Sequence, residues 1–202
     1  MPETPAEFHA RVTAAVQAAG YRDWDVSQWM TWPFDGELTM RPLDPPVLPE
    51  PPRGGEGNRS CAVCEPSHPP IWSDEHFRLG LGHEPTGLPF AGWLMPHEHL
   101  DVGDLDDERA ARLGVLLVRL DRAIRRVLHV SRVQVARWGD GQAHGHLYVY
   151  ARPTGLLQLR GTFLSHWDDL LPQRGRDAAR ADGELVAARL LELAGGRLVL
   201  AQ

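Results

Sequence analysis

The chain has 202 residues, 43% of them hydrophobic and 24% charged, with a formal net charge of -6. That length suffices for one sizeable core, and the composition excludes wholesale disorder. The acidic balance excludes non-specific binding to duplex nucleic acid, which needs a cationic surface.

All 21 basic residues are arginine. A Schiff-base lysine, a P-loop lysine and a lysine nucleophile are therefore excluded, and phosphate contacts fall to Arg, His or backbone N–H. The opening MPETPAEFHARV lacks the basic and apolar regions of a signal peptide. No apolar run approaches membrane-spanning length. A cytoplasmic protein with no membrane partner is expected.

Residues 6–19 carry Phe8, Val12, Ala15, Val16 and Ala19 at helical spacing, and Gly20 makes a stop. Residues 34–43 read as a short strand or hairpin, and PLDPPVLPEPPRGGEGNRS reads as a loop or linker. Trp24, Trp29 and Trp32 cluster early and are expected to pack this extension on the core. FRLGLG (77–82) and FAGWLMP (90–96) read as strands.

Asp104 is read as the N-cap of a long helix over about 105–128. Its apolar face carries Leu105, Leu113, Leu116, Leu117, Leu120, Ile124, Val127 and Leu128. Residues 132–138 and 144–152 read as two more strands around a GDGQ turn, and 177–194 as a helix ending at Gly195-Gly196. The pattern predicts an α+β fold: an antiparallel sheet with the long helix packed across one face. It divides into an N-terminal extension and linker over 1–58, a core domain over 59–170 and a C-terminal helical segment over 171–202.

Chemistry concentrates in two places. Cys61 and Cys64 form the chain's one C-x-x-C, a pattern that is either metal-binding or redox-active without export signals. The following EPSHPP is a poor helix start, which favours zinc over redox use. His97 and His99, at the end of a predicted strand, bring the set to two Cys and two His, the usual tetrahedral zinc ligands. Strand alternation then puts His144, His146, Tyr148 and Tyr150 on one face, with Leu147, Val149 and Ala151 on the other.

The segment GWLMPHEHL, the amphipathic helix and RVQVARWGDGQAHGHLYVYARP together resemble the core of the histidine triad superfamily, which is related to the galactose-1-phosphate uridylyltransferases. The family motif, His-φ-His-φ-His-φ-φ, follows a Gly-rich turn and is preceded by Pro-x-x-His, matched here by Pro96 to His99. The resemblance covers about residues 60–155. It implies a structural zinc held by Cys61, Cys64, His99 and His144, with His97 the rival to His99.

The same resemblance implies that His146 is the nucleophile, attacking an α-phosphate to form a nucleotidyl-histidine. Gln142 and Arg152 are candidate substrate contacts, although Arg152 also reads as a solvated strand end. The third motif position is Tyr148, where hydrolytic members have His and the uridylyltransferases Gln. That departure leaves Tyr148 as a hydrogen-bond donor near the phosphate.

The expected function is a nucleotidyl hydrolase or transferase acting on a nucleoside phosphate ester, anhydride or phosphoramidate. The alternatives are a zinc-stabilised nucleotide-binding protein without catalysis, and a thiol–disulfide protein using Cys61 and Cys64. The resemblance also implies a homodimer. The segment RGTFLSHWDDLLP either folds back over the site or forms an ordinary surface helix.

Overall fold

The computed structural model describes residues 4–19, 31–33, 43–65, 69–82 and 86–199. The chain divides into two units, Met1–Pro51 and Pro52–Gln202. In the first unit, Pro5–Ala19 forms helix α1, as its spacing predicts. Thr4 and Glu7 cap its start: the Thr4 hydroxyl and backbone N–H both donate to the Glu7 carboxylate. The side chains of Phe8, Val12, Ala15, Val16 and Ala19 lie outside the described residues, as do Gly20, Trp24, Trp29 and residues 34–42 of the strand or hairpin expected over 34–43.

The second unit is built on a six-stranded antiparallel sheet. Its strands are β1 (Trp72–Ser73), β2 (Phe77–Leu81), β3 (Phe90–Pro96), β4 (Val130–Ala136), β5 (Leu147–Pro153) and β6 (Arg197–Leu198), in the spatial order β4-β5-β3-β2-β1-β6. The four predicted strands are present, but two are displaced. The 132–138 strand runs from 130 to 136, and the 144–152 strand starts only at Leu147. The backbone of 142–145 pairs elsewhere: Ala143 N–H donates to Gly54 at 2.9 Å and Gly145 N–H to Leu100 at 2.8 Å. The short β1 and β6 at the far edge carry too few residues to show a period.

Helix α2 (Asp107–Val127) packs across the sheet. Its N-cap is Asp106, which accepts from Arg109 N–H at 2.8 Å, not Asp104. Asp104 instead closes a capping box on the 3-10 turn Val102–Asp104. Leu113, Leu116, Leu120, Ala123 and Ile124 recur every three or four residues and are buried with Phe77, Leu79, Leu94, Val149 and Ala151. Truncating one such leucine to Ala costs about 2–5 kcal/mol, so this layer sets the stability of the unit.

Helix α4 (Arg176–Ala194) packs beside α2, burying Val186, Ala187 and Leu190 in the same core. It ends at Gly195, whose carbonyl accepts from the buried Trp72 Nε1–H at 2.9 Å.

The opposite face of the sheet carries Ala91, Trp93, Tyr148 and Tyr150. The register sets Trp93 opposite Tyr148, and Ala91 opposite Tyr150. A seven-residue helix, α3 (Leu164–Leu170), lies against this face. Leu88, Tyr150, Leu159 and Leu164 form a second apolar cluster there, with Tyr148, Trp167 and Leu171 packed on it. RGTFLSHWDDLLP thus forms a partly exposed helix that lies against the tyrosine face.

Candidate metal centre and active site

The strand β3 ends at Pro96, and the chain turns through His97, Glu98 and His99. The two histidines separate at this turn. His97 Nε2 lies 3.1 Å from the Ser73 hydroxyl and 3.1 Å from the Asp74 carbonyl, away from the cysteines. His99 turns to the cysteines, with its Nδ1 3.2 Å from Cys64 Sγ. Cys64 Sγ is also 3.2 Å from His144 Nδ1, and Cys61 Sγ is 3.8 Å from the same atom. One ligand atom from each of Cys61, Cys64, His99 and His144 lies within 4.8 Å of all the others.

These separations fit a metal. Bonds of about 2.0–2.3 Å to a tetrahedral zinc imply ligand-to-ligand distances of about 3.3–3.8 Å. His144 is fully buried, and its Nε2 sits 3.0 Å from the Pro96 carbonyl. A carbonyl only accepts, so Nε2 carries the proton and Nδ1 is left with a bare lone pair facing the thiols. Burial also lowers the His144 pKa, keeping the ring neutral. Burial and the adjacent Cys61 push the Cys64 thiol up in the metal-free protein. Metal binding must then displace protons.

A segment that reads as linker completes this centre. Gly55 has φ +85°, and a Cβ there would lie 2.5 Å from His99 Cε1 and 3.2 Å from Cys61 Cβ. Only glycine supplies both the left-handed backbone and the clearance. Next to it, Gly54 N–H donates to the Gly141 carbonyl at 2.9 Å, forming an isolated parallel bridge to Gln142. Arg53 donates to Asp101 at 3.0 Å, to the Gly139 carbonyl at 2.9 Å and to Glu56 at 2.8 Å. Arg137 donates to the other oxygen of Asp101.

Burial raises the Asp101 pKa, but the hydrogen bonds from Arg137, Arg53 and Val102 N–H outweigh it and hold the carboxyl below its usual range. Sequence reasoning missed Arg53, Gly55, Asp101 and Arg137. The one available signal was a glycine pair, Gly54-Gly55, just ahead of the C-x-x-C.

His146 lies one residue before β5 and is 7% exposed. Its Nδ1 is 2.9 Å from the His144 carbonyl. By the same reasoning Nδ1 carries the proton and Nε2 holds a free lone pair. A side chain between the two histidines would be crowded: a Cβ on Gly145 would sit 3.0 Å from the Leu100 carbonyl oxygen and 3.1 Å from Val102 N, so that backbone would have to yield by a few tenths of an ångström.

Aromatic rings surround His146. Its ring centroid is 5.2 Å from that of Tyr148 and 5.9 Å from that of Trp93. Tyr148 continues the row, stacked on Tyr150 at 6.0 Å and edge-on to Trp138 at 5.0 Å. The expected shared face of His146, Tyr148 and Tyr150 is thus present, while His144 turns out of it toward the cysteines. Burial, then the Asp169 charge, raise the Tyr148 pKa, so its phenol stays protonated through the neutral range.

Gln142 packs its side chain against Gly54, and its Oε1 is buried without a hydrogen-bond partner. Arg152 is not a solvated strand end. It is 7% exposed and donates to the Leu156 carbonyl at 3.0 Å, tying down the turn after β5. A cleft of about 570 Å³ opens beside the tyrosines, between β4 and the start of α3. Tyr150 and Trp138 line it, and His146 does not.

The assembled geometry can be compared with solved structures. A histidine triad protein from Marinobacter aquaeolei is similar over 65% of this chain and 95% of its own, at 15% identity and a TM-score of 0.52. One from Bradyrhizobium japonicum is similar over 71% of this chain and 99% of its own, at 16% identity and a TM-score of 0.50. This chain has the histidine triad fold. A zinc-bound histidine triad family protein from Mycobacterium smegmatis is also similar, at 26% identity over 66% of this chain and 92% of its own, with a TM-score of 0.47. No protein-family model and no curated protein matches the sequence. Among the described residues, no helix of this histidine triad fold is long and apolar enough to cross a membrane.

Proposed function

We propose that the protein is a zinc-stabilised nucleotidyl hydrolase or transferase in which His146 is the nucleophile. The observation that carries this reading is the hydrogen bond from His146 Nδ1–H to the His144 carbonyl at 2.9 Å. It fixes the tautomer that attack requires, with the Nε2 lone pair free. Nε2 attacks the α-phosphorus of a nucleoside phosphate ester, anhydride or phosphoramidate. The P–O or P–N bond to the leaving group breaks as the P–N bond to His146 forms, and the leaving group departs with the bonding electron pair and takes up a proton from solvent. Water or a second acceptor then displaces His146 and takes the nucleotidyl group, giving its proton to solvent. Tyr148 donates its phenolic hydrogen to a phosphate oxygen, a hydrogen bond that strengthens as charge develops there.

Cys61, Cys64, His99 and His144 would hold the zinc. With four protein ligands it has no open position and serves structure. Its consequence for His146 is positional, since His144 supplies the carbonyl that orients the nucleophile. Gln142 stays in this reading at the rim, in the turn before His144. Arg152 ties down the turn after β5 through the Leu156 carbonyl. The protein acts in the cytoplasm as a homodimer, with a small nucleotide as its partner.

The presence of Tyr148 at the third motif position favours a second reading, a nucleotide-binding protein of the same fold that has lost turnover. Quenching with a nucleotide substrate and mapping the adduct by mass spectrometry separates the two. The enzyme reading expects a nucleotidyl group on His146, and no turnover in a folded His146→Ala variant. An adduct on another residue, or full activity in that variant, sinks it.

A further inference from the structure

The segment that carries α3 is pinned at its ends and lightly held between them. Arg152 donates to the Leu156 carbonyl at 3.0 Å; Arg174 donates to the Pro89 carbonyl at 3.0 Å and to Asp182 at 2.7 Å. Over residues 154–174 only Leu159 and Leu164 are buried, with Trp167 and Leu171 partly so. Asp168 adds a latch: its carboxylate accepts from the Thr86 hydroxyl, whose oxygen accepts from Leu88 N–H at 2.9 Å. The segment begins at Gly155, whose φ is +86°. A stretch with so few buried apolar side chains opens locally at less cost than the core.

What it lies against is the second observation. Leu159 and Leu164 join Leu88 and Tyr150 in one cluster, and Tyr148 packs on that cluster. Tyr148 is in turn the ring 5.2 Å from His146, which is buried although its Nε2 has to meet phosphorus. The cleft beside β4 is lined by Tyr150 but by neither Tyr148 nor His146. The segment also brings charge. Burial and then Asp169 raise the Tyr148 pKa; burial and then Asp168, Tyr148 and Asp169 raise that of Tyr150. Carboxylates therefore face the tyrosine row, where they repel an anionic phosphate.

We propose that residues 155–171 form an autoinhibitory strap over the candidate active site. Seated, the strap packs Tyr148 into its leucine cluster and sets Asp169 against any phosphate. Lifted about Gly155, with the Asp168 latch released, it frees the Tyr148 hydroxyl and opens the approach to His146 Nε2. The strap rests on the reading of His146 and Tyr148 as the groups that meet phosphate, and names the regulation of that site. Ligand binds only the lifted fraction, so apparent affinity scales with that fraction.

The test reads opening and binding separately, on the full chain. Thr86→Val removes the latch donor and keeps the shape of the side chain. Diethyl pyrocarbonate acylates a free imidazole nitrogen, and labelling of His146 is followed by mass spectrometry against the exposed His97 as internal reference. Thr86→Val is expected to raise His146 labelling and amide exchange over 162–171 about tenfold, the range of one hydrogen bond to a carboxylate. Calorimetry should show adenosine monophosphate binding tighter by the same factor. Asp169 is exposed and outside the latch, so Asp169→Asn should tighten that binding about threefold with exchange unchanged. Unchanged labelling and exchange in Thr86→Val overturns the strap and leaves the nucleophile reading standing. Faster labelling without tighter binding overturns the autoinhibition, as does Asp169→Asn binding no better than the parent. That last comparison decides alone if Thr86→Val does not fold. Binding by neither parent nor variants overturns the strap and the nucleotide reading together.

Discussion

Replacing Gly55 by alanine tests the metal centre through a residue that ligates nothing. Two costs are separable there. The first is backbone strain: a left-handed conformation costs a non-glycine residue roughly 1–2 kcal/mol. The second is a collision, because the added Cβ would lie 2.5 Å from His99 Cε1. Carbon atoms rest at about 3.5–4.0 Å, so the imidazole must retreat by about 1 Å. Metal–ligand distances tolerate only about 0.2 Å. Either His99 leaves the zinc or the segment around Gly55 lifts from the centre.

Gly57 supplies the control. It also has a left-handed backbone, φ +59°, but an added Cβ meets nothing within 4 Å. Gly57→Ala should therefore show the strain alone, and Gly55→Ala the strain plus the collision. In a competition titration with a chromogenic chelator, Gly55→Ala should weaken zinc binding about 10- to 100-fold, the range for losing support around a metal ligand. That corresponds to about 1.4–2.8 kcal/mol. Gly57→Ala should leave zinc affinity near that of the parent and lose in urea only the strain cost of roughly 1–2 kcal/mol. Equal zinc affinity in the two variants would refute the account.

Stripping zinc with a chelator should lower the melting temperature of the parent, because a ligand bound only by the folded state at 100 times its Kd contributes about 2.7 kcal/mol; a Cys61→Ala, Cys64→Ala double variant should not respond, and a parent that does not respond would count against the site. Tyr148→Phe should slow nucleotidyl transfer about 10- to 100-fold while the His146 adduct still forms, since one hydrogen bond is lost and the attacking atom kept; an unchanged rate would remove Tyr148 from the mechanism. Asp101 is held below its usual pKa by Arg137, Arg53 and Val102 N–H despite its burial. Its contribution is therefore present above the ordinary carboxylate pKa and lost as pH falls toward the depressed folded value. Asp101→Asn should cost about 1 kcal/mol at pH 7, allowing for partial exposure of both arginines, and progressively less in urea titrations at acid pH; a pH-independent cost would contradict this assignment.

The sequence determined by itself what periodicity and covalent spacing can carry. Helix α2 was legible because its apolar residues recur at a helical period over 21 residues, and β3 because seven residues match one buried strand. The cysteine pair was legible because C-x-x-C brings two thiols together within one turn of chain. His146 and the tyrosines were legible as one face because side chains alternate.

What depended on long-range approach was not legible. Whether His97 or His99 joins Cys64 is decided by the turn after β3, which sends one ring to Ser73 and the other to the cysteines. The start of β5 is decided by Gly54 and Leu100, which draw the backbone of 143 and 145 away from the sheet. Arg53 meets Asp101 across 48 positions, and Trp138 borders a cleft closed by residues 161–166. Such contacts leave no period in the sequence. They form only once α2 and the sheet have buried their common core and fixed where the loops begin and end.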